Sequence, residues 1–291
     1  MPKLKKIEKI ISAPPHHWVG DGFKVHTLFP SQEIDKSRMS PFFLFDYNAK
    51  TEFPPSEVPR GVGPHPHRGF ETVTIAFHGS VAHHDSIGNS GVIHEGDVQW
   101  MTAGSGILHK EYHEKSFSEK GGQFQMVQLW VNLPAKYKMS KPKYQALEHD
   151  KMEKVRLPNN SGIVNIIAGE YQNIKGPAKT FTPINLFDIR LDKNADVIFE
   201  LPENYNSAIL ILDGTITINN SDTVQADQFV LFENEGTTVN ISATKDSVIL
   251  LLSGEPINEP IFQYGPFLMN TKKEIIEAFD DFNNGKFGHL E

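Results

Sequence analysis

The sequence predicts an all-β protein built from two tandem barrel domains and closed by one short C-terminal helix. Three observations predict it. Apolar residues recur at every second position through several short runs. The chain's 19 prolines and 22 glycines interrupt those runs at short intervals, as turns in a sandwich or barrel do. Residues 77–111 can also be laid against residues 212–241 as two versions of one pattern: strand, glycine turn, polar strand, acidic turn, apolar strand, glycine-rich turn.

The elements follow in chain order. In "SPFFLFDY" (40–47), Phe42, Phe43 and Phe45 are expected to pack an outer strand on the barrel. In "TVTIAF" (72–77), Val73, Ile75 and Phe77 alternate with Thr72, Thr74 and Ala76. In "VQLWVNL" (127–133), Val127, Leu129, Val131 and Leu133 alternate with Gln128, Trp130 and Asn132. "AILILDGTITINN" (208–220) reads as two strands around Asp213-Gly214, a pair that favours a tight hairpin. "SVILLLSGEP" (247–256) reads as a strand buried on both faces. The one convincing helix is "TKKEIIEAFDDFNNG" (271–285). Thr271 and Glu274 stand at capping-box spacing, Ile275, Ile276, Phe279 and Phe282 form the apolar stripe, and Gly285 is the stop. The lysine-rich stretch around Pro142 suggests a linker over 139–155, between an N-terminal domain at 1–138 and a C-terminal domain at 156–291.

Composition narrows the chemistry. A formal charge of −8 over 291 residues argues against direct nucleic-acid binding, which needs a basic footprint. The one basic cluster, Lys3, Lys5, Lys6 and Lys9, reads as the wet face of a terminal strand. No cysteine is present, so any metal must sit on His, Asp or Glu. No apolar run approaches the roughly 18 residues of a membrane span, and the N-terminus lacks a signal-peptide pattern, so a cytoplasmic protein is the default.

Of the 13 histidines, 11 precede residue 115. "GVGPHPHRGFETV" (61–73) places His65 and His67 two apart, and residues i and i+2 of an extended segment point the same way. Pro66 between them suits an edge strand. "GSGILHKEYHE" (104–114) repeats the device with His109 and Glu111, leaving Leu108 and Lys110 on the other face. Two such strands in one small barrel could converge three imidazoles and a carboxylate on a borderline divalent metal. Val239 and Ile241 fall opposite His109 and Glu111 in the second pattern, so only the first half should bind metal. Glu71, four residues after His67, would also point inward on a strand and is the rival carboxylate, or a group that orients a histidine. His113 could line the cavity, with Phe70 and Met101 shaping it. His78, His83, His84, His94 and Trp100 are read as structural.

"HPHRGFETV" (65–73), "GDVQWMTAGSGILHKE" (96–111), "VQLWVNLP" (127–134) and "GPFLMNT" (265–271), with "SPFFLFDY", resemble the pirin family over residues 18 to 285. The resemblance implies two cupin domains of double-stranded β-helix type, with metal in the N-terminal one only. It implies the ligands His65, His67, His109 and Glu111, the carboxylate coming from the second motif. Iron(II) is the implied metal, with nickel, cobalt, copper, manganese and zinc as other divalent ions the site could take. "TAGSGILH" carries two extra residues relative to the common cupin spacing, which should re-aim the strand holding His109. Two functions are implied. One is a quercetin 2,3-dioxygenase, acting on a flavonol and O2 with Glu111 as general base. The other is an iron- and redox-sensing regulator that binds a protein partner. A monomer is implied as well.

Overall fold

The computed structural model describes residues 3–291. Its strands gather into two compact units, each with its own pair of antiparallel sheets. The division is not a linear cut of the chain. Pro15–Ser37, Pro41–Asp150 and Ile257–Glu291 make one unit; Arg38–Ser40, Lys151–Pro256 and the segment ending at Pro14 make the other.

This differs from the expected domains 1–138 and 156–291. The strand Ile7–Ser12 pairs with Gln228–Phe232, so the chain's beginning completes the sheet built from its second half. The C-terminal helix belongs with the first half. Within the expected linker 139–155, the strand Lys143–Leu147 pairs with Val98–Thr102. The physical reason is edge pairing: both barrels end in open sheet edges that a terminal or linking segment can extend.

The unit carrying the histidine motifs has a 7-stranded sheet facing a 4-stranded one. The larger runs in the order Lys143–Leu147, Val98–Thr102, Phe70–His78, Gly122–Asn132, Phe42–Phe53, Phe23–Phe29 and His17–Val19. The smaller runs Gly61–His67, Ile107–His113, Val81–Asp85 and Ser90–Ile93. Phe42–Phe53 is not an outer strand: it lies inside the larger sheet, between Phe23–Phe29 and Gly122–Asn132.

The other unit repeats the plan, with 7 strands facing 4. The Asp213-Gly214 turn is therefore not a hairpin. Asn206–Asp213 pairs with Gln228–Phe232 and Ser247–Gly254, while Thr215–Ile218 pairs with Asp222–Gln225 and Thr238–Ala243. The turn carries the chain from one sheet to the other. Gly214, at φ +86°, lies where a Cβ would sit 2.2 Å from the Asp246 carbonyl oxygen, so the corner admits only glycine. Phe187, Phe199, Ile209, Ile216, Val239 and Ile241 fill this barrel's interior.

The helix forms at Lys272–Asn283 with both arms of the Thr271/Glu274 capping box in place. Ile275 and Ala278 are buried against Phe267, Met269 and Phe287, but Ile276 faces solvent. The basic cluster also departs from expectation. Lys5 is fully buried, its Nζ donating to the carbonyls of Glu203, Glu233 and Asn234. Three acceptors at strand ends offset the cost of taking the ammonium out of water. Among the described residues no helix is long and apolar enough to cross a membrane.

Candidate metal centre

His65 and His67 stand on Gly61–His67, the edge strand of the smaller sheet, where Pro66 leaves no paired donor missing. His109 and Glu111 stand on the adjacent strand, Ile107–His113. The antiparallel register sets His109 directly opposite His65 and Leu108 opposite Pro66. A bulge between His109 and Glu111 then brings Glu111 opposite Val62.

The ring centroids of His65, His67 and His109 lie 4.8, 4.2 and 4.8 Å apart, taken as 65–67, 65–109 and 67–109. One nitrogen from each ring falls within 4.8 Å of the others. The outer nitrogens of two rings are anchored: His65 Nδ1 lies 2.9 Å from the Gly63 carbonyl and His67 Nδ1 lies 3.4 Å from the Pro266 carbonyl. Such contacts fix the tautomer that turns Nε2 inward. His109 is buried with neither ring nitrogen hydrogen-bonded. Burial pushes all three imidazoles below their ordinary pKa, which keeps them neutral. Three neutral, converging, partly orphaned imidazoles fit a divalent transition metal.

Glu111 is buried and lines the same cavity as His65 and His67, but its carboxylate falls outside the group of ligand atoms that lie within 4.8 Å of one another, which holds the three histidines alone. Burial pushes its carboxyl up to about 7, against the Thr74 hydroxyl, 3.1 Å from Oε1. Glu71 is placed differently. The strand holding His67 ends there, and the next begins at Phe70 after Gly69, at φ +89°. A Cβ on Gly69 would lie 2.1 Å from the Leu268 carbonyl oxygen. This kink breaks the alternation that an offset of four presumes. Thr74 reaches Glu111, so Phe70, Thr72 and Thr74 share the cavity face of Phe70–His78 and Glu71 takes the other, where it accepts from Thr102 at 2.7 Å.

The remaining expectations sort in the same way. Phe70 does flank the centre, stacked on Trp130 at 4.2 Å and 5.0 Å from the His67 ring. Met101 instead joins Ala103 and Ile107 in a separate cluster. His113 packs among Phe23, Phe53, Phe117 and Phe124 and lies 2.9 Å from the Gly22 carbonyl, in the core and not on the cavity wall. His78 meets Glu95, His94 meets Ser80, and His84 meets Tyr112. His83 sits opposite Glu111 in register, buried against Tyr144.

His65 and His67 open onto a cavity of about 380 Å³. Phe23, Val25, Val62, Met126 and Trp130 give it apolar walls, and Gly265-Pro266 of the C-terminal segment border it. Gln128, Trp130 and Thr74 were not read as site residues. They occupy the alternate positions of their strands; Gln128 and Trp130 line the cavity and Thr74 bonds to Gln128 on the same side, while Val127, Leu129 and Val73 bury the opposite face. In the other unit, Phe199 pairs with Val239 and Val197 with Ile241, so apolar side chains stand where the donors would be.

Fold and site together define a two-barrel cupin with a histidine-lined pocket in one barrel only. The family description "Pirin" matches residues 22–131, and "Pirin C-terminal cupin domain" matches residues 186–288. A Pseudomonas aeruginosa protein, provisionally named a quercetin 2,3-dioxygenase, is 45% identical over 284 residues, covering 98% of this chain and 99% of its own. Human pirin is 40% identical over 275 residues, covering 92% and 89%. The crystal structure of a quercetin 2,3-dioxygenase from Acinetobacter baumannii superposes with a TM-score of 0.93 at 46% identity, covering 99% and 100%. The chain belongs to the pirin family.

Proposed function

We propose that the protein is a mononuclear iron(II) dioxygenase that opens the ring of quercetin-type flavonols, with His65, His67, His109 and Glu111 as the metal ligands. The observation that carries this reading is the cluster of three imidazoles beside a largely apolar cavity that the buried Glu111 carboxylate also lines. The similarity to the Pseudomonas and Acinetobacter proteins supports the substrate class.

Bound iron(II) would supply Lewis acidity and a template that brings flavonol and O2 together. The chain's residues supply the rest. Phe23, Val25, Met126 and Trp130 offer flat apolar contact to an aromatic ring system and keep water from it. The Glu111 carboxylate is the base for the flavonol 3-hydroxyl proton, and the Thr74 hydroxyl oxygen lies 3.1 Å from its Oε1. The carbonyls of Gly63 and Pro266 hold the rings of His65 and His67 in orientation. In the overall reaction C3 leaves as carbon monoxide and both atoms of O2 remain in the ring-opened ester.

The test is quercetin consumption by the iron(II)-reconstituted protein in air, followed by absorbance loss and carbon monoxide release. Turnover that disappears in His109→Ala supports the reading. Full iron loading without turnover overturns it and moves the assignment to the partner-binding regulator. Equal partner capture by the iron(II) and iron(III) forms would then remove the redox-switch idea.

A further inference from the structure

One polar row crosses the larger sheet of the metal-site barrel at right angles to its strands. Thr27 pairs with Asp46, Asp46 with Gln128, and Gln128 with Thr74, each in direct register on neighbouring strands. Residues paired in this way point to the same side. Hydrogen bonds join the row at both ends. Thr27 Oγ1 donates to Asp46 Oδ1 at 2.6 Å, and Thr74 Oγ1 donates to Gln128 Oε1 at 2.5 Å while lying 3.1 Å from Glu111. The row therefore starts beside Glu111 and places Asp46 two strands away from Thr74, about 10 Å at ordinary strand spacing.

Asp46 and Gln128 both line the cavity, between Val25, Met126 and Trp130. Among the described residues, no protein donor reaches the second oxygen of Asp46 and no acceptor meets the Gln128 amide nitrogen. Neither atom is sealed from solvent, so a polar group of a ligand can take the place that water would otherwise hold there. An acceptor beside a donor matches a hydroxyl, which gives one hydrogen bond and takes another.

We infer that Asp46 and Gln128 form a second polar subsite that binds a phenolic hydroxyl of an aromatic ligand other than the metal-chelating pair. The inference rests on the flavonol reading and adds to it a preference: flavonols hydroxylated away from the metal-chelating pair bind better than bare ones. Asp46 acts on binding, with no part in the reaction at the ring.

The probes are quercetin and 3-hydroxyflavone, which keeps the chelating pair and lacks every other hydroxyl. Their dissociation constants are measured by calorimetry without oxygen on the iron(II)-loaded protein and on Asp46→Asn, with iron content and melting temperature checked for both. A hydrogen bond to a charged group predicts at least about tenfold tighter binding of quercetin by the parent. In Asp46→Asn the ratio should fall to about two or three, with iron content unchanged. A parent ratio below tenfold overturns the subsite whether or not the variant folds, and so does an unchanged ratio in a folded Asp46→Asn. If both flavonols bind and turn over with no such preference, the subsite fails and the flavonol reading stands. If neither binds the fully loaded protein, the flavonol reading fails and takes the subsite with it.

Discussion

His109 stands opposite His65 with ring centroids 4.2 Å apart, and the second barrel places Phe199 opposite Val239 in the equivalent strand pair. The same backbone frame holds three clustered imidazoles in one barrel and a packed apolar interior in the other. Residue type alone decides which.

That relationship predicts the outcome of His109→Val, which makes the first barrel resemble the second. Iron bound after reconstitution should drop below about a fifth of parent stoichiometry, because a structural donor has been removed. The metal-free protein should keep its stability within about 1 kcal/mol, since the lost packing is offset by removing a buried imidazole with no hydrogen-bond partner. Elemental analysis and urea unfolding of the metal-free form check the two halves separately. A metal-replete His109→Val would remove His109 from the ligand set.

The two buried carboxylates should behave oppositely. Glu111→Gln should weaken iron binding by about 10–100-fold and abolish turnover, because a neutral amide replaces a ligand that lines the cavity. Glu71→Gln should leave iron content and turnover unchanged, because Glu71 faces the other side of its strand and a glutamine still accepts from Thr102. Metal titrations of both variants decide between them. Loss of iron in Glu71→Gln alone would reverse the assignment.

Thr74 contributes through Glu111, so its removal should be graded. Thr74→Val keeps the shape and deletes the hydroxyl that lies between Glu111 and Gln128. Iron affinity should fall about tenfold, and Thr74→Ser should restore most of it. A purely structural role would instead lower the melting temperature of both variants and leave the affinity of the folded fraction untouched.

The histidine cluster was legible because its chemistry is written locally. Two pairs at i, i+2 each need only a short extended segment to bring them to one face. Glu71 misled for a matching reason: its offset from His67 holds only on an unbroken strand, and Gly69 breaks it. The cavity wall was hidden by a polarity rule. Gln128 and Thr74 are polar positions of alternating strands, yet both faces of those strands are covered, and Gln128 lines the pocket while Thr74 bonds to it. The chain exchange at the termini and the Asp213-Gly214 corner were hidden because strand partners distant in sequence leave no local mark.

His113 should make the metal-site barrel acid-labile. Burial among Phe23, Phe53, Phe117 and Phe124 pushes its pKa down to about 4, the Gly22 carbonyl opposing. The unfolded chain protonates this histidine near 6.5, while the folded chain keeps it neutral to about 4. Between those values the unfolded state holds the extra proton, so the stability present above pH 6.5 is lost as pH falls toward 4. The slope for one such group is about 1.4 kcal/mol per pH unit. Buried His83, also pushed down to about 4, adds a second group of the same sign. In His113→Phe the absolute stability shifts by a constant packing cost, and the pH slope should flatten by about one proton. Urea unfolding of the chelator-treated parent and variant at pH 7, 6 and 5 isolates that slope, because the metal ligands titrate identically in both. Parallel curves would show that His113 takes up its proton in the folded state as readily as in the unfolded one.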